Sequence, residues 1–163
     1  MAKKQEIQHK YDSSADIYDS RYSEIQKDKY ELALQDLELQ KPILDLGCGT
    51  GLLKDFLGVE LIGCDISRNM LKKAKNKGML VVQADIEHLH FKNKFKTILS
   101  FTALQNVPDV TLALSEIKRL NAKQIVLTYL DKFDFIKQIQ KEFDVQEIRK
   151  IGEDVCLICC NLV

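Results

Sequence analysis

The stretch Ile43-Leu44-Asp45-Leu46-Gly47-Cys48-Gly49-Thr50-Gly51 constrains this chain more than any other. An apolar run of strand type enters it, and glycines follow at every second position. Leu52 to Leu57 then leaves as a short helix. Glycine allows a tight backbone turn and lets another molecule approach with no Cβ in the way. A strand, a glycine turn and a helix start together predict a site for a nucleotide-like ligand at the carboxyl edge of a sheet.

The spacing narrows the ligand. Dinucleotide sites use G-x-G-x-x-G, whose third glycine permits close helix–strand packing. Here the pattern is G-x-G-x-G, with the carboxylate of Asp45 two residues ahead of Gly47. An acid at this turn repels a pyrophosphate but tolerates a ligand carrying an ammonium and a sulfonium. That favours S-adenosylmethionine over a nicotinamide dinucleotide.

Further acids follow at strand ends. Val59 to Cys64 reads as a second strand ending at Asp65, 18 positions after Gly47. Rossmann-like folds place a ribose-binding carboxylate about 20 residues on. Ser67 is positioned as a helix N-cap before the apolar stripe Met70, Leu71 and Ala74, and Gly78 ends that helix. Met79 to Ala84 reads as a third strand, ending at Asp85-Ile86. Phe95 to Phe101 reads as a fourth, running into Thr102-Ala103-Leu104-Gln105-Asn106. Asp109 caps a helix with Val110, Ala113, Leu114 and Ile117 on one face, and Gln124 to Leu130 is a fifth strand. A helix over Phe135, Ile136, Ile139 and Phe143 precedes a terminal hairpin, Val145–Ile151 and Asp154–Leu162, turning at Gly152.

Ahead of the core, Met1 to Lys10 is polar and reads as loose chain. Ser23 to Leu39 reads as a helix with Tyr30, Ala33, Leu34 and Leu37 on its apolar face, stopped by Pro42. The 163 residues fit one domain, 1–163, with an N-terminal segment 1–40 and a core 41–163.

Composition excludes several classes. Lysine plus arginine equals aspartate plus glutamate at 24 each, so the basic excess of a dedicated nucleic-acid binder is missing. The local clusters Lys72, Lys73, Lys75, Lys77 and Lys92, Lys94, Lys96 read as solvated surface. No apolar run approaches the roughly 20 residues that cross a bilayer, and no apolar signal core follows Met1, so a cytoplasmic protein is expected. Five cysteines in no paired pattern suit a reducing compartment. Cys156 and Cys159 form a C-x-x-C, but residues three apart on a strand point to opposite faces, which is poor for a chelate. His88 and His90 lack further ligands at matching spacing, so no metal is expected.

Asp45-Leu46-Gly47-Cys48-Gly49-Thr50-Gly51 resembles the first motif of the class I, Rossmann-like S-adenosylmethionine-dependent methyltransferases, with the small type 11 branch nearest. The likeness runs from about Tyr11 to the C-terminus. It implies a three-layer α/β/α sandwich whose seven-stranded, mostly parallel sheet has the order 3-2-1-4-5-7-6 and an antiparallel last strand. It implies cofactor contacts at Asp45, Gly47, Cys48, Gly49, Gly51, Asp65 and Ile66. Asp85 would receive the adenine amino group, Ile86 would pack on the ring, and Phe101 and Thr102 would border the methyl. The segment Tyr11-Asp12-Ser13-Ser14-Ala15-Asp16-Ile17-Tyr18-Asp19-Ser20-Arg21-Tyr22 resembles the family's lid, which makes Tyr18 and Arg21 candidates near the methionine end, with Tyr11 weaker.

The fourth-strand loop lacks the Asn/Asp-Pro-Pro-Tyr of adenine- and glutamine-modifying members, so those acceptors are disfavoured. Gln105 and Asn106 are candidates for an amide that orients the acceptor, and no general base is assigned. The implied activity is methyl transfer from S-adenosylmethionine, to RNA or protein rather than a small molecule, with a small partner subunit as a possible companion. The alternative is a cofactor-binding subunit without its own chemistry that acts as scaffold or activator.

Overall fold

Adjacent residues along the central strands carry apolar side chains to opposite sides, so both sheet faces need cover. In the computed structural model, which describes residues 2–92 and 95–162, the central strands are covered on both sides. Leu44, Ile98, Ile125 and Leu157 pack on one side with Leu114 and Ile117. Ile43, Leu99, Val126 and Ile158 pack on the other with Tyr30, Leu53 and Leu71. Lys94 of the second basic cluster lies outside the described residues, as do Met1 and Val163.

The elements run α1 (Ala2–Leu34), β1 (Ile43–Leu46), α2 (Leu52–Leu57), β2 (Ile62–Asp65), α3 (Arg68–Asn76), β3 (Leu80–Gln83) and β4 (Thr97–Phe101). A 3₁₀ turn (Leu104–Asn106) follows, then α4 (Val110–Arg119), β5 (Gln124–Leu130), α5 (Ile136–Glu142), β6 (Phe143–Ile151) and β7 (Asp154–Asn161). The strand order is β3-β2-β1-β4-β5-β7-β6. β7 runs antiparallel to β5 and β6, while the other neighbours pair in parallel. With helices on both faces this is the three-layer sandwich expected from the resemblance. The order reverses between β1 and β4, and the crevice at such a switch point is where open α/β sheets bind ligands.

The expected caps form. The Ser67 hydroxyl accepts from Met70 N at 3.2 Å, and the Asp109 carboxylate accepts from Leu112 N at 3.0 Å. Cys156 and Cys159 pack into opposite core layers, and burial pushes both thiols up to about 12.

The N-terminal segment departs from expectation. Residues 2–10 are not loose chain but the first turns of one 33-residue helix that ends at Leu34, not Leu39. The reason is tertiary, since most helical stability comes from packing rather than propensity. The Lys4 ammonium pairs with Asp85 at 2.6 Å and with Glu87. At the other end the Arg149 guanidinium donates to the carbonyls of Leu32, Ala33 and Gln35 at 3.0–3.2 Å, satisfying helix-end acceptors. Phe143 opens β6 instead of closing the preceding helix.

Candidate functional site

The glycine turn after β1 is held by backbone. Gly47 N and Cys48 N both donate to Cys64 O, at 2.8 and 2.9 Å, which fastens the turn to the end of β2. Gly47 and Gly49 adopt φ of +76° and +53°. A Cβ on Gly47 would lie 2.6 Å from the Ala103 Cβ, whereas one on Gly49 would meet nothing within 4 Å. Gly47 is therefore required for packing against the loop after β4. Gly49 presents bare backbone to an open cleft.

Asp65 closes β2 beside this turn. Its Oδ2 accepts from Gly49 N at 2.9 Å and its Oδ1 from Ser67 N at 2.8 Å. A carboxylate offers about four lone-pair sites, so two bonds fix its orientation and leave acceptor capacity toward the cleft. Burial pushes its pKa up, partly offset by these bonds. Asp45 lies beneath the turn and is 3 % exposed. Burial first, and then the neighbouring Asp65 charge, push its carboxyl up to about 8.

One cleft of about 1000 Å³ runs along this rim. Its floor includes Gly47, Gly49, Asp65, Ile66, Asp85, Ile86, Phe101 and Thr102. One wall is the face of α1 that carries Tyr11, Tyr18 and Arg21. The opposite wall is the segment with Gln105 and Asn106. Asn106 Nδ2 donates to the Tyr11 hydroxyl at 2.9 Å, joining the two walls. The Gln105 Oε1 is buried without a hydrogen-bond partner.

Of the cofactor and acceptor candidates from the sequence, Asp45, Cys48 and Gly51 do not reach the cleft lining, and the others do. Gly51 stands at φ +82°, where an added Cβ would lie 3.3 Å from Ala74 Cβ, and Cys48 sits in the core. His88 is exposed, with Nδ1 3.6 Å from Asp85 Oδ2. Asp85, Glu87 and His88 bring ligand-type atoms within 4.8 Å of one another, and the Lys4 ammonium is seated against the two carboxylates.

The lid's fastening was not visible in the sequence. Asp12 Oδ1 accepts from Ser67 Oγ at 2.5 Å and from Asn69 N at 3.0 Å. Asp16 pairs with Lys73 at 2.6 Å and Asp19 with Lys77 at 2.8 Å, so part of the first basic cluster serves to hold α1. Lys29 pairs with Asp154, and both line the cleft. The sequence offered no signal for these pairs beyond acids and bases at helical spacing, because each partner is remote along the chain.

Residues 44–124 match the family model described as a methyltransferase domain. With the sheet order and the reversed β7 already in view, that decides the family. The chain belongs to the class I S-adenosylmethionine-dependent methyltransferases. It is 36 % identical over 93 residues to a malonyl-[acyl-carrier protein] O-methyltransferase of Hamiltonella defensa, covering 53 % of this chain and 36 % of that protein. It is 30 % identical over 122 residues to the human probable tRNA methyltransferase 9B, covering 72 % of this chain and 26 % of that protein. The chain thus spans well under half the length of these curated relatives. Among solved structures, it is similar to the putative methyltransferase solved in complex with the Haloferax volcanii Trm112 methyltransferase activator. There the TM-score is 0.82 at 13 % identity, over 94 % of this chain and 98 % of that one.

The family's cofactor is S-adenosylmethionine, and the residues present fit it. Gly49 leaves open space where any other residue would put a side chain. Asp65 is oriented by two backbone donors with acceptor capacity remaining. No helix among the described residues is long and apolar enough to cross a membrane.

Proposed function

We propose that this chain transfers a methyl group from S-adenosylmethionine to an acceptor held between α1 and the segment after β4. The observation that carries this reading is the convergence on one cleft of bare backbone at Gly49, the carboxylates of Asp65 and Asp85, and the amides of Gln105 and Asn106. When bound, the cofactor supplies a methyl carbon on a sulfonium, which departs as a neutral thioether. Asp65 accepts the ribose hydroxyls. Asp85 and Ile86 serve the adenine, beside the Lys4 ammonium. Tyr18 and Arg21 border the methionine end from α1. The chain's remaining task is to hold the acceptor in line, and alignment alone supplies a large share of such an acceleration.

Two predictions follow from these roles. Asp65→Ala removes an acceptor for the ribose and is expected to weaken binding of S-adenosylhomocysteine by on the order of 1.5–3 kcal/mol in calorimetry. Unchanged affinity would count against the role. Gln105 substitution is expected to lower turnover while leaving cofactor affinity nearly intact. An equal collapse of both would make the side chain structural.

An RNA or protein acceptor fits the cleft better than a free small molecule. Only residues 131–135 join β5 to α5, so no inserted element closes that side, and α1 forms the cover. The relative named for a tRNA supports a macromolecular acceptor. A small partner subunit belongs to the same reading. The Haloferax neighbour was solved with an activator, and here the sheet-edge strand β3 leaves Leu80 63 % and Val82 43 % exposed. An open edge is a ready template for another chain.

The test is transfer of radiolabelled methyl into a cell extract separated into RNA, protein and small molecules. Label in RNA or protein is expected, and label in small molecules alone contradicts the acceptor reading. Cofactor binding with no label anywhere favours the non-catalytic subunit.

A further inference from the structure

Lys29, Thr102 and Asp154 come together on the cleft wall from α1, the end of β4 and the start of β7. Lys29 Nζ donates to Thr102 Oγ1 at 2.7 Å and pairs with Asp154 Oδ2. Thr102 Oγ1 in turn donates to Asp154 Oδ2 at 3.3 Å. The Asp154 side chain is 2 % exposed and that of Lys29 is 11 % exposed. Both contacts are made through Oδ2, and a carboxylate keeps acceptor capacity beyond two bonds.

Two features set this cluster apart from an ordinary structural ion pair. An ion pair taken this far from water is seldom a net gain in stability over an apolar pair of similar volume. Thr102 is also β-branched, yet stands at φ +55°. That left-handed conformation is an outlier for such a residue, and strain of this kind gathers at functional sites. The surroundings hold it there: Thr102 N donates to both the carbonyl and the hydroxyl of Thr128, at 3.0 and 2.9 Å. The next residue, Ala103, is the one that packs against Gly47. The cluster therefore abuts the glycine turn at the acceptor end of the cleft.

We infer that Asp154, oriented by Thr102 and Lys29, accepts the proton of the acceptor's N–H or O–H group. This rests on the methyltransferase reading above. As the acceptor's lone pair forms the new bond to the methyl carbon, the carbon–sulfur bond breaks and its electron pair goes to sulfur. The proton on the attacking nitrogen or oxygen passes to the Asp154 carboxylate, and from there to water in the cleft. The acceptor class is thus an amine, amide or hydroxyl. A carboxylate acceptor has no proton to give and would meet the charge of Asp154.

The experiment uses Lys29→Met/Asp154→Asn, which removes both charges together, because either change alone strands a buried partner charge. The double variant is expected to lose methyl transfer to extract by a hundredfold or more relative to the parent, the scale of a general base. Its thermal midpoint should stay within a few degrees of the parent, and its affinity for S-adenosylhomocysteine within about threefold. The label on the parent's product is expected to survive mild alkali, which would release a methyl ester as methanol.

Transfer by the double variant within about tenfold of the parent, or alkali-labile label, overturns the assignment and leaves the cofactor site standing. A parent that binds cofactor but labels nothing overturns it as well. A parent that binds no cofactor overturns the methyltransferase reading itself.

Discussion

Asp45→Asn is expected to stabilise the ligand-free protein at pH 8–9 by about 5 kcal/mol relative to its effect at pH 4. The Asp45 carboxyl rises from 3.8 to about 8 on folding, and the cause is burial, reinforced by Asp65. No donor or cation among the described residues offsets it. The native state therefore holds its proton where the unfolded chain has already released one. Stability from this group is full below pH 4, falls as pH rises through the window between 3.8 and about 8, and levels off above it. Asparagine is close in shape and cannot ionise, so the variant lacks this slope. Urea unfolding at pH 4, 6 and 8 measures the difference, and parallel profiles for parent and variant would contradict it. A carboxylate kept at such a cost beneath the glycine turn suits a cationic ligand above. Stabilisation by S-adenosylhomocysteine should accordingly grow with pH in the parent more than in the variant.

Gly47→Ala is expected to lose stability and cofactor binding together. The left-handed φ of +76° costs an L-residue roughly 1–2 kcal/mol. The new Cβ would also lie 2.6 Å from the Ala103 Cβ, which is fixed to backbone and cannot swing aside. Overpacking of this kind costs a further 1–3 kcal/mol or so. The two together approach a sizeable share of a small domain's stability. Relief can come only by moving the loop that carries Thr102, Gln105 and Asn106, so the acceptor wall shifts even where the protein still folds. Gly49→Ala is the contrasting variant: it carries the same kind of backbone penalty but has open space for the Cβ. It should fold better than Gly47→Ala while its methyl group intrudes on the ligand. Equal thermal midpoints for the two variants would show that the Gly47–Ala103 contact is not what fixes the turn.

The parts of this molecule legible in the sequence are those fixed by neighbours along the chain. The turn at Gly47–Gly51, the caps at Ser67 and Asp109 and the extent of β5 depend on local chemistry, and the structure agrees. The acids at strand ends were legible because strand, turn and helix alternate at near-constant length, which brings Asp65 and Asp85 to one rim. The reach of α1 was not legible. Residues 2–10 carry no apolar stripe, and the anchor they find, Lys4 against Asp85 and Glu87, lies across the fold. The Lys29–Thr102–Asp154 cluster was hidden for the same reason, since its members come from three distant segments. Asp45 was read from its spacing as facing the ligand, while the pleat of β1 turns it inward beneath the turn.

The central claim is that the cleft under α1 holds an adenosyl sulfonium along its glycine turn. A crystal of the protein grown with sinefungin tests it most directly. The account predicts one molecule on the rim, its ribose on Asp65, its adenine beside Asp85 and Ile86, and its amine end passing Gly47 and Gly49 toward Tyr18. A cleft left empty at saturating sinefungin, or ligand density away from Asp65, would contradict it.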